Sequence, residues 1–192
     1  MGIGGWFVLV MIGLVVIVAL MAKADSNASV AQKGSLTAIP DFVPDSIYLG
    51  GSKGSAIAVD SGKSKLAILG AGGIPSVVDF SDVLGVEVLR NGTSITRTNR
   101  GSQVAGAAVG AVLLGPVGLL LGGVTGSKRQ DEKVKRLSIK IFVNDLKSPV
   151  HEVVFFNGPE MKNDSLVVKM AAGQLDEWEG RVKAILSRNP SA

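Results

Sequence analysis

Apolar and polar positions divide the chain into regions of different period. Residues 3–22 form an unbroken run of twenty without a charge, dominated by Val, Leu, Ile and Met. As a helix such a run measures about 30 Å, the thickness of a bilayer's hydrocarbon core. Trp6 suits an interfacial anchor at one end, and the first lysine, Lys23, follows the run directly. Residues 1–23 are therefore expected to be a transmembrane anchor. Residues 24–54, rich in Ala, Ser, Asp, Gly and Pro, show no sustained period. Pro40 and Pro44 each disfavour helix at the preceding residue, so this stretch reads as a linker, with an extended piece at 47–49 that could join the domain edge.

Beyond the linker, short β-branched runs separated by turn residues predict antiparallel strands. Ala56–Asp60 and Lys65–Leu69 flank Ser61-Gly62-Lys63, and 75–80 follows a Gly-rich turn. Val83–Arg90 and 93–98 flank Asn91-Gly92, a type I′ hairpin signal. Residues 137–144 alternate, and 150–156 returns after a turn at 145–149, which makes seven strands. The period then lengthens. Leu166, Met170, Leu175, Trp178, Val182, Ile185 and Leu186 draw one apolar stripe on a helix, with Asn163, Asp164 or Ser165 as its cap. Gly173 and Gly180 lower its propensity, so packing on the sheet has to stabilise it, with Trp178 as the central plug.

Seven strands and one amphipathic helix follow the order of the pleckstrin-homology (PH) superfold, two nearly orthogonal sheets capped by a helix. The runs Ile57-Ala58-Val59-Asp60, Val77-Val78-Asp79-Phe80-Ser81-Asp82-Val83, Arg100-Gly101-Ser102 and Lys140-Ile141-Phe142-Val143-Asn144-Asp145 resemble a set of bacterial and phage proteins. Members of that set carry a PH-like domain with a glycine-zipper insert, often followed by a SHOCT tail. The resemblance covers about residues 55–188; the chain departs from many members in lacking that tail and in adding the anchor. It implies a fold more than an activity. The expected class is α+β, mainly β: a transmembrane helix, then a PH-like seven-stranded barrel over 55–190 with a C-terminal capping helix and a glycine-rich helical hairpin inserted at 101–127.

The inserted segment holds the second long apolar run, 104–125. Gly106 and Gly110 are four apart, as are Gly118, Gly122 and Gly126, a spacing that lines one helix face and lets backbones approach closely. Gly115-Pro116 breaks the run, which predicts two arms packed glycine face to glycine face. Each arm is about 16 Å long, half a bilayer, so the hairpin could enter one leaflet, fold against its own barrel, or associate with another copy.

Charge refines the picture. The net charge is +4, and the window 97–136 holds seven basic residues, Arg97, Arg100, Lys128, Arg129, Lys133, Lys135 and Arg136, against Asp131 and Glu132. The rest of the chain is thus close to neutral. Near an anionic leaflet such a flank contributes about 1 kcal/mol per residue, which makes it a candidate lipid-docking surface. With Lys23 and Lys33 after the first helix, the positive-inside rule places the C-terminal domain in the cytoplasm. The rival topology is an exported protein cleaved near Ala24, since Ala22-Lys23-Ala24 has the small-x-small form that signal peptidase cuts. No basic residue precedes the run, however, and the run exceeds the usual h-region of about 7–15 residues, which favours a retained anchor.

Candidate chemistry is sparse. Without cysteine there is no disulfide, thiolate metal site or cysteine nucleophile. The single histidine, His151, lies within a predicted strand, where a structural role is expected. Gly70, Gly72 and Gly73 lack the following helix of a phosphate-binding loop and read as a turn. No metal or cofactor is expected, and no catalytic residue is assigned. Three functions remain: a membrane-anchored interaction module binding a protein partner or anionic lipid; a self-assembling membrane protein whose hairpin forms homo-oligomers or perturbs the bilayer; and a nucleic-acid binder. The last is disfavoured because no aromatic residues interleave with the basic window to stack bases.

Overall fold

The structure, a computed structural model, describes residues 3–51, 54–70, 73–100 and 133–188. Helix α1 (Ile3–Thr37) is followed by β1 (Ser46–Leu49), β2 (Ala56–Asp60), β3 (Lys65–Leu69) and β4 (Pro75–Asp79). A 3-10 turn, Phe80–Asp82, leads into β5 (Val83–Arg90) and β6 (Thr93–Asn99). Strands β7 (Lys133–Val143) and β8 (Val150–Lys162) precede helix α2 (Leu166–Ser187). The described strands therefore number eight rather than seven, because the 47–49 piece pairs in full register with β2.

The strands form two four-stranded antiparallel sheets, β1-β2-β3-β4 and β6-β5-β7-β8. The two sheets are joined at Val154 of β8, whose N–H donates to Ser55 Oγ at 2.9 Å and whose carbonyl accepts from Tyr48 Oη at 3.0 Å. Both backbone groups of an edge strand are thereby satisfied where the register of β7 and β8 shifts. The Asn91-Gly92 turn is as expected, with φ of +51° and +83° at its two central residues.

Between the sheets lies a continuous core that includes Ile57, Leu66, Val86, Ile139, Phe155 and, from α2, Leu175, Trp178 and Val182. Ser165 caps α2, accepting from Val168 N at 3.4 Å. Its buried stripe is Val168, Ala171, Leu175, Trp178, Val182 and Ile185, strictly three or four apart. The expected stripe is corrected at its start: Leu166 and Met170 are 73% and 64% exposed. They lie off that face, and sequence periodicity had joined them to it only by their apolarity.

Residues 24–37, expected as linker, continue the anchor helix. Ser, Asp and Asn are weak helix formers, but propagating an existing helix avoids the nucleation cost that an isolated segment would meet. The helix stops at Thr37, short of Ile39-Pro40.

Candidate membrane and partner interface

The described side chains of the apolar part of α1 are exposed: no residue of an 18-residue window of mean hydropathy 2.4 is buried, and the window belongs to a helix long and apolar enough to cross a membrane. The polar continuation, by contrast, is fastened to the two-sheet domain. Gln32, 7% exposed, donates from Nε2 to the Gly51 carbonyl at 2.8 Å and accepts from Gly51 N at 2.9 Å. Gly51 has φ +57°, and a Cβ there would collide with Asp25 Oδ1 and Ser29 Oγ. One turn further on, Leu36 is fully buried with Phe42 against Ala56, Ala58, Ala67 and Leu69 on the outer face of the first sheet. Small alanines let the helix lie close to that face. The sequence carried a signal for this contact: β2 and β3 are apolar at nearly every position, the mark of a sheet covered on both sides.

Beyond α1, the chain from Asp41 to Asp45 grips the opposite end of the same sheet. Val43 N donates to Asp60 Oδ2 at 2.8 Å, Asp41 pairs with Lys63, and Ser61 N donates to Asp45 Oδ2 at 2.7 Å. The Ser61 hydroxyl and N–H hold the Asp45 carboxyl below the usual carboxylate range. Nearby, an open cleft of about 360 Å³ between Lys63, Asp79, Ser81 and Arg188 carries both signs of charge.

Of the expected basic flank, Lys128 and Arg129 lie outside the described residues, as do Gly106, Gly110, Gly118, Gly122 and Gly126 and the hairpin they would form. The other five fall into two separate groups. Arg97 stacks on Phe142 at 4.9 Å, and Arg100 donates to the carbonyls of Phe80 and Ser81, closing the 3-10 turn. At the start of β7, Lys133 and Lys135 share Glu160 at 3.4 and 2.9 Å, while Arg136 pairs with Glu152 at 3.2 Å. Those two lysines hold the Glu160 carboxyl below its ordinary range. Asn91 fixes this second group: its Oδ1 accepts from Lys135 N and Arg136 N, and its Nδ2 donates to the Lys133 carbonyl.

The two groups mark the ends of the segment between β6 and β7. Both strands flank β5 antiparallel, so they are parallel to each other. Arg100 N bonds the Leu84 carbonyl at the start of β5, whereas Lys133 lies four residues before the Leu137 that faces Arg90 at its end. At about 3.3 Å per residue the ends are about 30 Å apart. The hairpin expected between them at 101–127 lies outside the described residues.

His151 lies in β8. Its Nε2 is buried without a hydrogen-bond partner among the described residues, and burial holds its pKa below the ordinary histidine value. Gly73 N bonds the Gly70 carbonyl at 3.1 Å, while Gly72 lies outside the described residues. Among the described residues no group of three His, Asp or Glu is placed to hold a metal ion.

Comparisons with known proteins agree with this architecture. An immunity protein of Bacillus phage SPbeta is 29% identical over 119 residues, covering 58% of this chain and 57% of the relative. An SPbeta prophage-derived uncharacterized membrane protein, YomJ, of Bacillus subtilis strain 168 is 29% identical over 119 residues, covering 58% and 51% respectively. The chain thus spans about half the length of the curated relatives it matches. No solved structure matches it. A family model described as a glycine zipper containing PH domain matches residues 46–157, from the first residue of β1 into β8. Covering both sheets and the segment between β6 and β7, that match makes the chain a member of the family of glycine-zipper-containing PH domains.

Proposed function

We propose that the protein is a non-catalytic, membrane-anchored interaction module whose PH-like domain is presented at the cytoplasmic surface to a protein partner or anionic lipid. The observation that carries this is α1: its apolar part is wholly exposed, and the same helix continues into a half fastened to the domain. Bare apolar surface of that extent is stable only in hydrocarbon, and one relative bears the name of a membrane protein. Cytoplasmic presentation rests on Lys23 and Lys33 after the apolar run. Because the chain is free of cysteine, single cysteines at Ser26 and Ser187 test it directly in intact cells. Labelling by an impermeant maleimide only after permeabilisation is expected. Labelling of both in unbroken cells would make the domain external and favour cleavage near Ala24.

A second reading is supported by the glycine spacing of 106, 110, 118, 122 and 126: self-association within the membrane, serving an immunity function of the kind the phage relative's name records. Gly110→Leu with Gly118→Leu would abolish cross-linked oligomers while leaving the monomer folded if this reading holds. Unchanged cross-linking would leave the interaction module alone standing.

A further inference from the structure

The docked half of α1 fixes which end of the barrel meets the bilayer. Leu49, Ala56, Leu69 and Pro75 face one another in a row across the first sheet. Gly51, just beyond that row, lies against Asp25 and Ser29. The opposite end of the sheet, at Asp60 and Lys63, is gripped by Asp41 and Val43, which come after the helix has ended. Travelling away from the membrane along α1, the chain therefore meets the Leu49–Pro75 row first and the Asp60 end last. The described residues just beyond the row, Gly50 and Gly51 on one side and Gly70 and Ile74 on the other, therefore lie at the end of the sheet nearest the bilayer.

The height follows from helix geometry. Asp25 and Ser29 are three and seven residues past Ala22, the end of the uncharged apolar run, hence about 5 to 10 Å above the hydrocarbon edge. The headgroup layer extends about 5 to 8 Å beyond that edge. At this level the turn between β3 and β4 carries Ile74, a large apolar side chain 83% exposed to solvent. An apolar side chain bare in water at that height gains by entering the interface.

We infer that Ile74 rests in the lipid headgroup layer, giving the domain a second membrane contact beside the anchor. The occupant is the bilayer itself, because this end of the sheet is continuous with the exposed apolar helix. Two contacts would set the tilt of the barrel and hold the Asp60–Lys63 end and its cleft, between Lys63 and Arg188, toward the aqueous phase. This inference rests on the membrane-anchored reading above.

The test uses the full chain reconstituted in phosphatidylcholine and phosphatidylglycerol vesicles, with a nitrobenzoxadiazole dye on single cysteines Val15→Cys, Ile74→Cys or Val43→Cys. All three positions are exposed, at 62%, 83% and 73%, so labelling should spare the fold. Headgroup-region spin-labelled lipid should quench the dye at 74 and leave the dye at 43 bright, while acyl-chain spin labels quench the dye at 15. Quenching at 15 without quenching at 74 would sink this inference and keep the anchor. Absence of quenching at 15 would overturn both, and equal quenching at 43 and 74 would overturn the orientation.

Discussion

At the residue scale, stability depends on a few buried polar groups with complete sets of partners. Asp60 is 3% exposed, with Oδ2 accepting from Val43 N and Oδ1 from Lys63 N at 2.9 Å. In Asp60→Asn one acceptor becomes a donor facing a donor, which should cost about 1–3 kcal/mol. A lower urea midpoint at unchanged slope would register it; an unchanged midpoint would show that the interaction contributes nothing. His151 gives the fold a pH dependence of known sign. The unfolded chain takes a proton near pH 6.5, the ordinary histidine value, while the folded one, holding His151 by burial, takes it only at lower pH. Between those values the unfolded state binds more protons, so this contribution is intact above pH 6.5 and is lost as pH falls through the window. Urea midpoints of the native chain should therefore drop between about pH 7 and about pH 5.5 more than those of His151→Leu. Parallel curves would assign the drop to carboxylates.

At the element scale, what the sequence revealed depended on whether a single period carried the information. The strands from Ala56 to Arg90 were legible because alternation and turn chemistry agree there, down to the positive φ of Asn91 and Gly92. The polar half of α1 was not, since its residues are indifferent helix formers and its stability comes from Gln32 and Leu36 meeting a sheet that lies later in the chain. The start of β7 was missed for a similar reason: Lys133, Lys135 and Arg136 hide a strand that Glu160, Glu152 and Asn91 hold in place. The candidate site shows the same limit, because the number of basic residues could be read from sequence but not the carboxylates that share them. The docking of α1 predicts a local effect. Gln32→Ala removes both bonds to Gly51, so amide exchange should accelerate at Gly51 and along 25–37 while Ile139 and Ile141 in the core stay protected. Uniform acceleration would mean that the helix and the two sheets form one cooperative unit.

At the scale of the whole molecule, the order β6-β5-β7-β8 makes the segment between β6 and β7 a crossover between parallel strands rather than a loop between neighbours. A hairpin with adjacent ends could be excised and replaced by a turn; a crossover cannot. Arg100 is held to Leu84 and Ser81 at one end of the second sheet, and Lys133 to Asn91 at the other. Any replacement of residues 101–132 must therefore bridge about 30 Å, and extended chain supplies at most about 3.6 Å per residue. Four Gly/Ser residues reach too little, whereas about fifteen suffice even on a path around β5. The longer linker should preserve the cooperative urea transition of the domain, because Arg100, Asn91 and the ion pairs of Glu160 and Glu152 all lie outside the excised span. The four-residue linker should break β6 or the first residues of β7 away from β5. Should both versions melt alike, the ends must be closer than the register of β5 implies. If instead the longer linker fails as well, the glycine-rich segment is itself part of what holds the domain folded.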